Sequence, residues 1–385
     1  MSEWKEYKLG DIVDLSQGLA INKQSKHLLK KEGLSLLRIT DMFNDTYAQF
    51  IDPEKVPKQC ISTLTDIIYT RTGQVGYVFK NKIGVVHNNC FKVIPKDIVD
   101  KDFIYWFLKQ PSVKELVNNI ASGSVQLDLP HGTFKSIDIK IPEKIEEQKT
   151  IAFVFESLND KIDLLHRQNK TLEQLAETLF KQWFVEEAEE SWDEVSLFDS
   201  IELIGGGTPK TENAEYWNGS IKWLSCGDIA TNHKNFVIKS EKAITDLGLK
   251  NSSAKLLPRY STIISARGTV GKYCLLSEPM AYSQSNYGIK PKYDECFFFT
   301  YLLIAYSVEE LQAAAYGSVF DTITTNTFKE HKIKLPQNNV IEQFEVNVKP
   351  YFGKMFSNQK QIQTLTKLRD SLLPKLMSGE VRVEI

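Results

Sequence analysis

Two stretches of this chain repeat each other and restrict its architecture to a duplicated one. Residues 123–142 read GSVQLDLPHGTFKSIDIKIP and residues 317–336 read GSVFDTITTNTFKEHKIKLP, with identical residues at nine of 20 positions and an offset of 194. One long offset in a chain of 385 residues indicates two copies of one domain, not an array of short repeats. Weaker matches continue the duplication: Trp4 with Trp192, LRITDM (37–42) with LSCGDI (224–229), and RTGQVG (71–76) with RGTVG (267–271).

Each copy divides into a mixed part and a helical part. The alternating runs IDIKIP (137–142) and HKIKLP (331–336) predict strands that end at proline, within a mixed α/β domain. The apolar run CFFFTYLLIAY (296–306) has 11 residues, too few for a membrane span, and predicts a buried helix. After each domain, apolar residues recur in steps of three and four, the heptad pattern of a helix packed against another helix.

The two heptad patterns match each other at an offset of 193. The first extends from Ile151 to Trp183 and the second from Phe344 to Leu376, so each stripe covers 33 residues. A helix of this length is about 50 Å long, and a small domain alone does not cover such a stripe. We therefore predict that the two helices pair with each other, against the alternative that each is an ordinary amphipathic core helix.

An antiparallel pair of equivalent helices has a pseudo-two-fold axis, the commonest closed arrangement of two equivalent units. With full overlap, positions whose numbers add up to 527 face each other, so Asn169 lies opposite Asn358 and Ala176 opposite Tyr351. A buried Asn pair fixes the register, because a slipped pairing would place each amide against apolar side chains. The predicted fold class is α+β, with two similar mixed α/β domains and two long helices that form an antiparallel coiled coil.

Composition excludes several functional classes. Five scattered cysteines and six histidines show no metal-binding spacing, which argues against a metal site and a disulfide framework. The N-terminus lacks an apolar export segment, so we expect a cytoplasmic protein without a membrane anchor. The net charge is −2, from 47 basic and 49 acidic residues, so DNA binding by the chain alone would be weak and would need a basic partner.

These motifs together resemble the specificity subunit of a Type I restriction–modification enzyme. The resemblance spans about residues 1–380 and depends on the order of motifs that occur twice, each of them weak by itself. The motifs are the duplicated Trp-x-x-x-x-Leu opening, RTGQVG and ARGTVGK, YSQSNYGIKP (282–291), ASGSVQLDL, and helices ending in TLFKQWF and SLLPKLMSGE.

The resemblance implies target-recognition domains at 1–144 and 189–337, with a central helical spacer at 145–188 and a C-terminal one at 338–385. In this family each domain reads one half of a split sequence in double-stranded DNA, and the helices set the spacing. The helices also dock two adenine-N6 methyltransferase subunits, and restriction/translocase subunits complete the enzyme. The chain itself then needs no cofactor, and S-adenosylmethionine and ATP/Mg belong to its partner subunits.

The expected function is non-catalytic DNA reading. The chain has no [DN]-P-P-[YF] motif for amino-methylation and no Walker A motif, which argues against a self-contained methyltransferase or nuclease. An alternative that stays open is a pseudo-symmetric protein-interaction scaffold that does not read DNA.

Candidate DNA contacts are polar side chains of three kinds. Some lie in the glycine-containing turns, others lie in the YSQSNYGIKP segment and its counterpart in the first copy, and one is an arginine of the first domain, Arg38. Arg71 and Arg267 lead, because arginine binds guanine or phosphate with two hydrogen bonds and the adjacent glycines permit close approach. They are displaced by one position in the alignment, and a structural salt bridge is the competing interpretation. The full set of predicted DNA contacts is Arg38, Arg71, Gln74, Asn88, Asn89, Arg267, Thr269, Gln284, Ser285 and Asn286.

Overall fold

The computed structural model describes residues 3–123, 126–293, 295–316 and 321–383. Residues 124–125 and 317–320 of the 20-residue repeat lie outside this range. The chain divides into a first unit, Met1–Ile162 with Thr364–Ile385, and a second unit, Asp163–Gln363. Each unit contains one mixed domain, here called domain 1 (residues 1–144) and domain 2 (residues 189–337), and a part of each long helix.

In the first unit, the strand that begins domain 1 pairs with the strand that ends it. Trp4–Lys8 is antiparallel to Asp138–Pro142, the predicted IDIKIP strand, with Trp4 opposite Pro142. The main sheet is antiparallel and has the strand order Val13–Gln17, Cys90–Pro95, Ile67–Thr70, Val78–Phe79. A second sheet has the order Leu29–Lys30, Phe50–Ile51, Leu34–Leu37, Gly84–Val86, Ile61–Ser62.

The helices of domain 1 cover the main sheet. Phe103 and Trp106 of the helix Lys101–Leu108 are buried in one core with Phe155 of the first long helix. The other α-helices of this domain are Leu9–Ile12, Ile39–Asn44, Pro111–Ile120 and His131–Lys135, and its 3-10 turns are Lys26–Leu28, Pro53–Lys55 and Lys58–Cys60.

Domain 2 repeats this plan. Its first strand, Asp193–Ser196, is antiparallel to its last, Lys332–Leu335. The main sheet has the order Ile201–Gly205, Asn286–Pro291, Thr262–Ser265, Tyr273–Leu276, Phe236–Val237. The smaller sheet has the order Lys242–Ile244, Trp217–Leu224, Ala281–Tyr282.

The apolar run of domain 2 forms the buried helix predicted for it. This helix, Phe297–Tyr316, starts with side chains that are almost all inaccessible. The buried carboxylate of Glu345, on the second long helix, accepts hydrogen bonds from the N–H groups of Phe298 (3.2 Å) and Phe299 (2.8 Å) at its N-terminus. The remaining helices of domain 2 are Leu197–Ser200, Cys226–Thr231, Asp246–Lys250, Thr325–Glu330 and the 3-10 turn Ala214–Tyr216.

Two long helices follow the two domains. The first long helix is Ile145–Lys181, continued by a π-helical turn at Gln182–Glu186, and the second long helix is Asn338–Ser378. In the first unit, Arg369 donates a hydrogen bond to Asn159 (Nη1–Oδ1 3.2 Å). In the second unit, Phe180 contacts Phe344, with ring centroids 5.9 Å apart. The start of each helix therefore meets the end of the other, which confirms the antiparallel pairing.

Polar and small side chains occupy the middle of the pair in the second unit. Asn358 donates a hydrogen bond from Nδ2 to Oδ1 of Asn169 over 2.9 Å, and both side chains are buried. Ala176 is fully buried, and Tyr351 packs partly buried against the same core. In the described part of the chain, no helix has the length and apolar content needed to cross a membrane.

Candidate nucleic-acid interface

Each domain has a tight turn built around two glycines. The 71–76 turn follows the strand Ile67–Thr70, and the 267–271 turn follows the strand Thr262–Ser265. In the first turn Gly73 and Gly76 both have φ of +84°, and the matching Gly268 and Gly271 have φ of +77° and +79°. These values lie in the left-handed region that favours glycine. The two turns therefore have the same backbone conformation.

A loop that follows two parallel strands lies beside each turn. In domain 1 the strand Leu34–Leu37 is parallel to Gly84–Val86, and His87 N donates to Leu37 O over 3.2 Å. Carboxyl ends of parallel strands share one edge of a sheet, so the following residues, Arg38 and His87, come together.

Domain 2 contains the same arrangement with different residues. There Trp217–Leu224 is parallel to Ala281–Tyr282, and Ser283 N donates to Leu224 O over 2.9 Å. Ser225 and Ser283 thus occupy the positions of Arg38 and His87.

Main-chain hydrogen bonds connect the loop to the turn and fix which residues correspond. The N–H of Arg71 donates to Asn89 O (2.8 Å), and the N–H of Ala266 donates to Ser285 O (2.9 Å). One residue further along, Thr72 donates to Asn89 O (3.2 Å) and Arg267 to Ser285 O (3.3 Å). Arg71 therefore matches Ala266, and Arg267 matches Thr72. The two predicted arginines lie in equivalent turns but not at equivalent positions.

Arg71 forms a salt bridge within domain 1. Its Nη2 lies 2.8 Å and 3.0 Å from the two carboxylate oxygens of Asp128, and its Nη1 donates to Gln17 Oε1 over 3.2 Å. Thr72 Oγ1 also donates to Asp128, over 2.6 Å. Burial alone would raise the pKa of Asp128, but the hydrogen bonds from Thr72 and Arg71 outweigh it and lower that pKa. These contacts hold the guanidinium in a defined orientation.

Asp128 is an organising residue that the sequence analysis missed. It belongs to the repeated GSVQLDL segment, which passes beside the turn, since Gly73 N donates to Leu127 O over 2.8 Å. Leu129 N donates to Arg71 O and Ile323 N to Ala266 O, so the counterpart of Asp128 in domain 2 is Thr322. The acidic partner of the arginine is thus present in only one of the two repeated segments.

Arg38 is also paired with a carboxylate. It donates to both oxygens of Asp41, with distances of 2.6 Å (Nε) and 2.9 Å (Nη2). The pKa of His87 is lowered by burial and by the neighbouring Arg38, which favours the neutral imidazole. In domain 2 the matching Asp228 instead accepts hydrogen bonds from the N–H and hydroxyl of Ser225.

Several predicted contacts are accessible. Gln74, Arg267 and Gln284 are exposed, and Asn88, Asn89, Ser285 and Thr269 are partly exposed. Within the described residues, the guanidinium of Arg267 forms no ion pair, and the side-chain amides of Asn88 and Asn89 form no hydrogen bond. These groups are free to bind a ligand, and the DNA contacts assigned to them stay predictions.

Asn286 has a different environment. It is buried, its Nδ2 donates to Ser283 Oγ over 2.7 Å, and its Oδ1 lies 3.1 Å from Ser265 Oγ and 3.3 Å from Cys226 Sγ. The side chain therefore links the loop, the end of the strand Thr262–Ser265 and the helix Cys226–Thr231 in this structure. A direct DNA contact by Asn286 stays a prediction that would require the amide to leave these partners.

Among the described residues, no group of three or more His, Cys, Asp or Glu side chains is arranged to hold a metal ion. The accessible side chains among the predicted contacts are arginine, amide and hydroxyl groups. Such groups bind base edges and phosphates through hydrogen bonds.

Comparison with known proteins identifies the repeated unit. The family described as "Type I restriction modification DNA specificity domain" matches residues 1–174 and again residues 189–367. The Type I restriction enzyme MjaIX specificity subunit of Methanocaldococcus jannaschii is 28% identical over 356 residues, which cover 86% of this chain and 82% of the relative. The HindI specificity subunit of Haemophilus influenzae is 25% identical over an alignment of 470 positions. The alignment covers 99% of this chain and all of the relative.

The fold agrees with that of a solved relative. The crystal structure of the Type I restriction–modification S subunit from M. genitalium superposes with a TM-score of 0.66 at 17% identity, over 98% of this chain and 96% of that one. The two family matches cover both copies of the internal repeat and most of both long helices. The chain belongs to the family of Type I restriction–modification specificity subunits, and it is a non-catalytic DNA-recognition subunit.

Proposed function

We propose that this chain reads a bipartite target in double-stranded DNA, one half with each target-recognition domain, at residues 1–144 and 189–337. The helical spacers at 145–188 and 338–385 set the distance between the two halves and hold the partner subunits. The observation that carries this proposal is one backbone framework, present in both domains, with different side chains at matched positions.

The matched positions differ in their hydrogen-bonding chemistry. Arginine favours guanine or phosphate, asparagine and glutamine favour adenine, and serine and threonine are less selective. Two surfaces with different donors on one framework suit two half-sites of different sequence. The matched pairs, domain 1 first, are Arg38 and Ser225, Arg71 and Ala266, Thr72 and Arg267, Asn88 and Gln284, and Asn89 and Ser285.

The two long helices present exposed apolar side chains at matching positions. Phe153 is 68% exposed and Val346 is 71% exposed, and their numbers differ by 193, the offset between the helices. Leu175 and Leu368, also exposed, differ by the same 193. The first unit holds Phe153 and Leu368, and the second unit holds Leu175 and Val346. An equivalent pair in each unit supports docking of two copies of one partner, the adenine-N6 methyltransferase subunit.

The charge of the chain is consistent with partner subunits that supply much of the affinity for DNA. A net charge of −2 supplies little affinity for phosphates, so the methyltransferase subunits provide much of the electrostatic attraction to DNA. In this proposal they also bind S-adenosylmethionine, and the restriction/translocase subunits bind ATP and Mg²⁺.

The test combines methylation mapping with footprinting. Cells that contain the methyltransferase subunit are compared, with and without the gene for this chain, by single-molecule sequencing for N6-methyladenine. We expect one split motif that depends on the chain. The purified complex of the chain with its methyltransferase should protect two short segments of duplex DNA containing that motif. A complex that forms but protects no DNA would instead support the alternative, a protein-interaction scaffold without direct DNA reading.

A further inference from the structure

Domain 1 carries an exposed aromatic patch directly beside its turn, formed by Phe43, Tyr77 and Phe79. Phe43, on the short helix Ile39–Asn44, is 44% exposed. Its ring makes edge-on contacts with Tyr77 (centroids 4.7 Å apart) and Phe79 (5.0 Å). Tyr77 directly follows the 71–76 turn, so the aromatic patch continues the surface that holds Arg71 and Gln74.

A lysine covers part of this patch. The ammonium of Lys114 lies 3.5 Å from the centroid of the Tyr77 ring and has no ion-pair partner among the residues that the structure describes. The close approach depends on Gly76, because a Cβ at that position would lie 3.1 Å from Lys114 Cγ. The nearby Lys80 and Lys82, in contrast, are paired with Asp102 and Glu156 and with Asp45, respectively.

Domain 2 has a different surface at the matched positions. Tyr77 O accepts from Thr70 N, and Lys272 O accepts from Ser265 N, so Lys272 replaces Tyr77. Alignment of the two short helices places Ala230 at the position of Phe43.

Gln312 replaces Lys114 at the corresponding glycine. A Cβ at Gly271 would lie 2.5 Å from Gln312 Cγ, and the Gln312 amide donates to Val270 O over 2.8 Å. At these matched positions, domain 2 therefore has neither the exposed Phe ring nor a lysine over a neighbouring aromatic ring.

We propose that Phe43 makes an apolar contact with a base of the half-site read by domain 1, while Lys114 binds a neighbouring phosphate. This inference rests on the proposed function and adds two specificity and affinity residues to it. An unpaired cation beside an accessible ring suits a polyanion with apolar base surfaces, since phosphates attract the ammonium and bases or thymine methyl groups contact the ring. A protein partner for this patch is an outcome of the test.

The test uses the full chain in complex with its methyltransferase subunits. The probe is a fluorescent duplex that carries the split motif found by methylation mapping. The dissociation constant of the protein–DNA complex is measured at several salt concentrations. The variants are Phe43→Ala, Phe43→Leu and Lys114→Gln. The matched control is Ile94→Ala, because Ile94 is also 44% exposed but lies at the far end of the strand Cys90–Pro95 from the turn.

We expect Phe43→Ala to weaken binding about tenfold without changing the salt dependence, because the lost contact is uncharged. Phe43→Leu should lose less. Lys114→Gln should weaken binding and reduce the slope of log K against log salt by about one. Ile94→Ala should bind like the wild type. Scrambling one half of the motif, and only that half, should abolish the difference between Phe43→Ala and the wild type.

Three results would overturn the inference while leaving the proposed function intact: unchanged affinity of Phe43→Ala, an unchanged salt slope for Lys114→Gln, or a loss that persists when either half is scrambled. Failure of Phe43→Ala to co-purify with the methyltransferase would assign the patch to a protein contact and would also overturn it. A wild-type complex with no split motif and no footprint would refute the proposed function itself.

Discussion

The Nδ2 of Asn358 lies 2.9 Å from the Oδ1 of Asn169, and this buried hydrogen bond joins the two long helices. Two further polar contacts support it. The Nδ2 of Asn169 donates to Met355 O over 3.4 Å, and Gln168 Oε1 accepts from Asn358 over 3.4 Å. A shift of either helix would separate these groups and bury them unpaired.

The first prediction concerns helix register. Asn358→Leu alone should destabilise the chain by roughly 1–3 kcal/mol, because the side-chain carbonyl of Asn169 loses its hydrogen-bond donor while remaining buried. Asn169→Leu combined with Asn358→Leu should leave the helix pair stable but permit slipped pairings. Crosslinking with mass spectrometry detects these as new residue pairs. Asn347→Leu, at an exposed position of the same helix, is the control, and crosslinks confined to the wild-type register in the double variant would contradict the prediction.

The second prediction concerns Arg267. Replacement by Ala in the assembled methyltransferase complex should weaken binding by about 1–3 kcal/mol, through the half-site of domain 2 only. Footprints on DNA with one half scrambled show which half is affected. Arg267→Lys separates two modes of contact. It should behave like Ala if the guanidinium binds guanine with two hydrogen bonds, and like the wild type if it binds phosphate. Unchanged affinity and methylation with Ala would remove Arg267 from the DNA interface.

The third prediction is a pH dependence of stability. Burial raises the pKa of Glu345 from 4.5 to about 7, against the hydrogen bonds from Phe299 and Phe298 that lower it. The folded protein therefore keeps a proton that the unfolded chain releases between pH 4.5 and 7. Stability falls as the pH rises through this window. Burial also raises the pKa of Glu173 to about 7, which adds to the same trend.

Glu345→Gln tests this dependence. Glutamine keeps an oxygen that accepts from the helix N-terminus, as Gln148 does for Asp100 N over 2.6 Å in the first unit. The variant should gain on the order of 1–3 kcal/mol over the wild type at pH 8 and little at pH 5. Urea unfolding at the two pH values measures the difference. Glu342→Gln, at an exposed position on the same helix, is the control, and an equal gain at both pH values would contradict the prediction.

The fourth prediction concerns the C-terminal segment. Arg382 Nη1 lies 3.1 Å from the buried Oε1 of Glu147, which also accepts from Trp4 Nε1 over 3.4 Å. Arg382→Ala should destabilise the first unit by roughly 1–3 kcal/mol, because a buried carboxylate loses a cationic partner. Tryptophan fluorescence during urea unfolding reports this change.

Two further variants test the cause of this loss. Adding Glu147→Gln to Arg382→Ala should recover part of the stability, because the amide is uncharged. Lys375→Ala removes only the exposed pair with Glu380 and should cost less than about 0.5 kcal/mol. Equal decreases in the free energy of unfolding for Arg382→Ala and Lys375→Ala would contradict the prediction, because the buried Arg382–Glu147 pair would then contribute no more than an exposed pair.

The sequence predicted those features that depend on local periodicity. The heptad spacing from Ile151 to Trp183 and its repeat from Phe344 to Leu376 led to the long helices and their pairing, and the alternation in IDIKIP and HKIKLP led to the strands Asp138–Pro142 and Lys332–Leu335. In each case the pattern lies within one helix or one strand, and burial of one face requires it.

Outside the helix pair, side-chain contacts between distant residues could not be predicted from the sequence. Arg71 meets Asp128, 57 residues away, and no pattern around either residue selects that partner. The one-residue displacement of Arg71 from Arg267 is explained only by main-chain hydrogen bonds to Asn89 and Ser285. The amide of Asn286 predicts a DNA contact, but three neighbours from three different segments surround that amide.

The main-chain hydrogen bonds between turn and loop affect how the sequence of this protein can change during evolution. The hydrogen bonds from Arg71 and Thr72 to Asn89 O recur at Ala266, Arg267 and Ser285 O without using any side chain. Mutations at these positions therefore alter the chemistry of the surface while the scaffold beneath it folds as before. On the proposed function, a lineage can acquire a new DNA preference in one half-site by single amino-acid replacements, and the other half-site keeps its own.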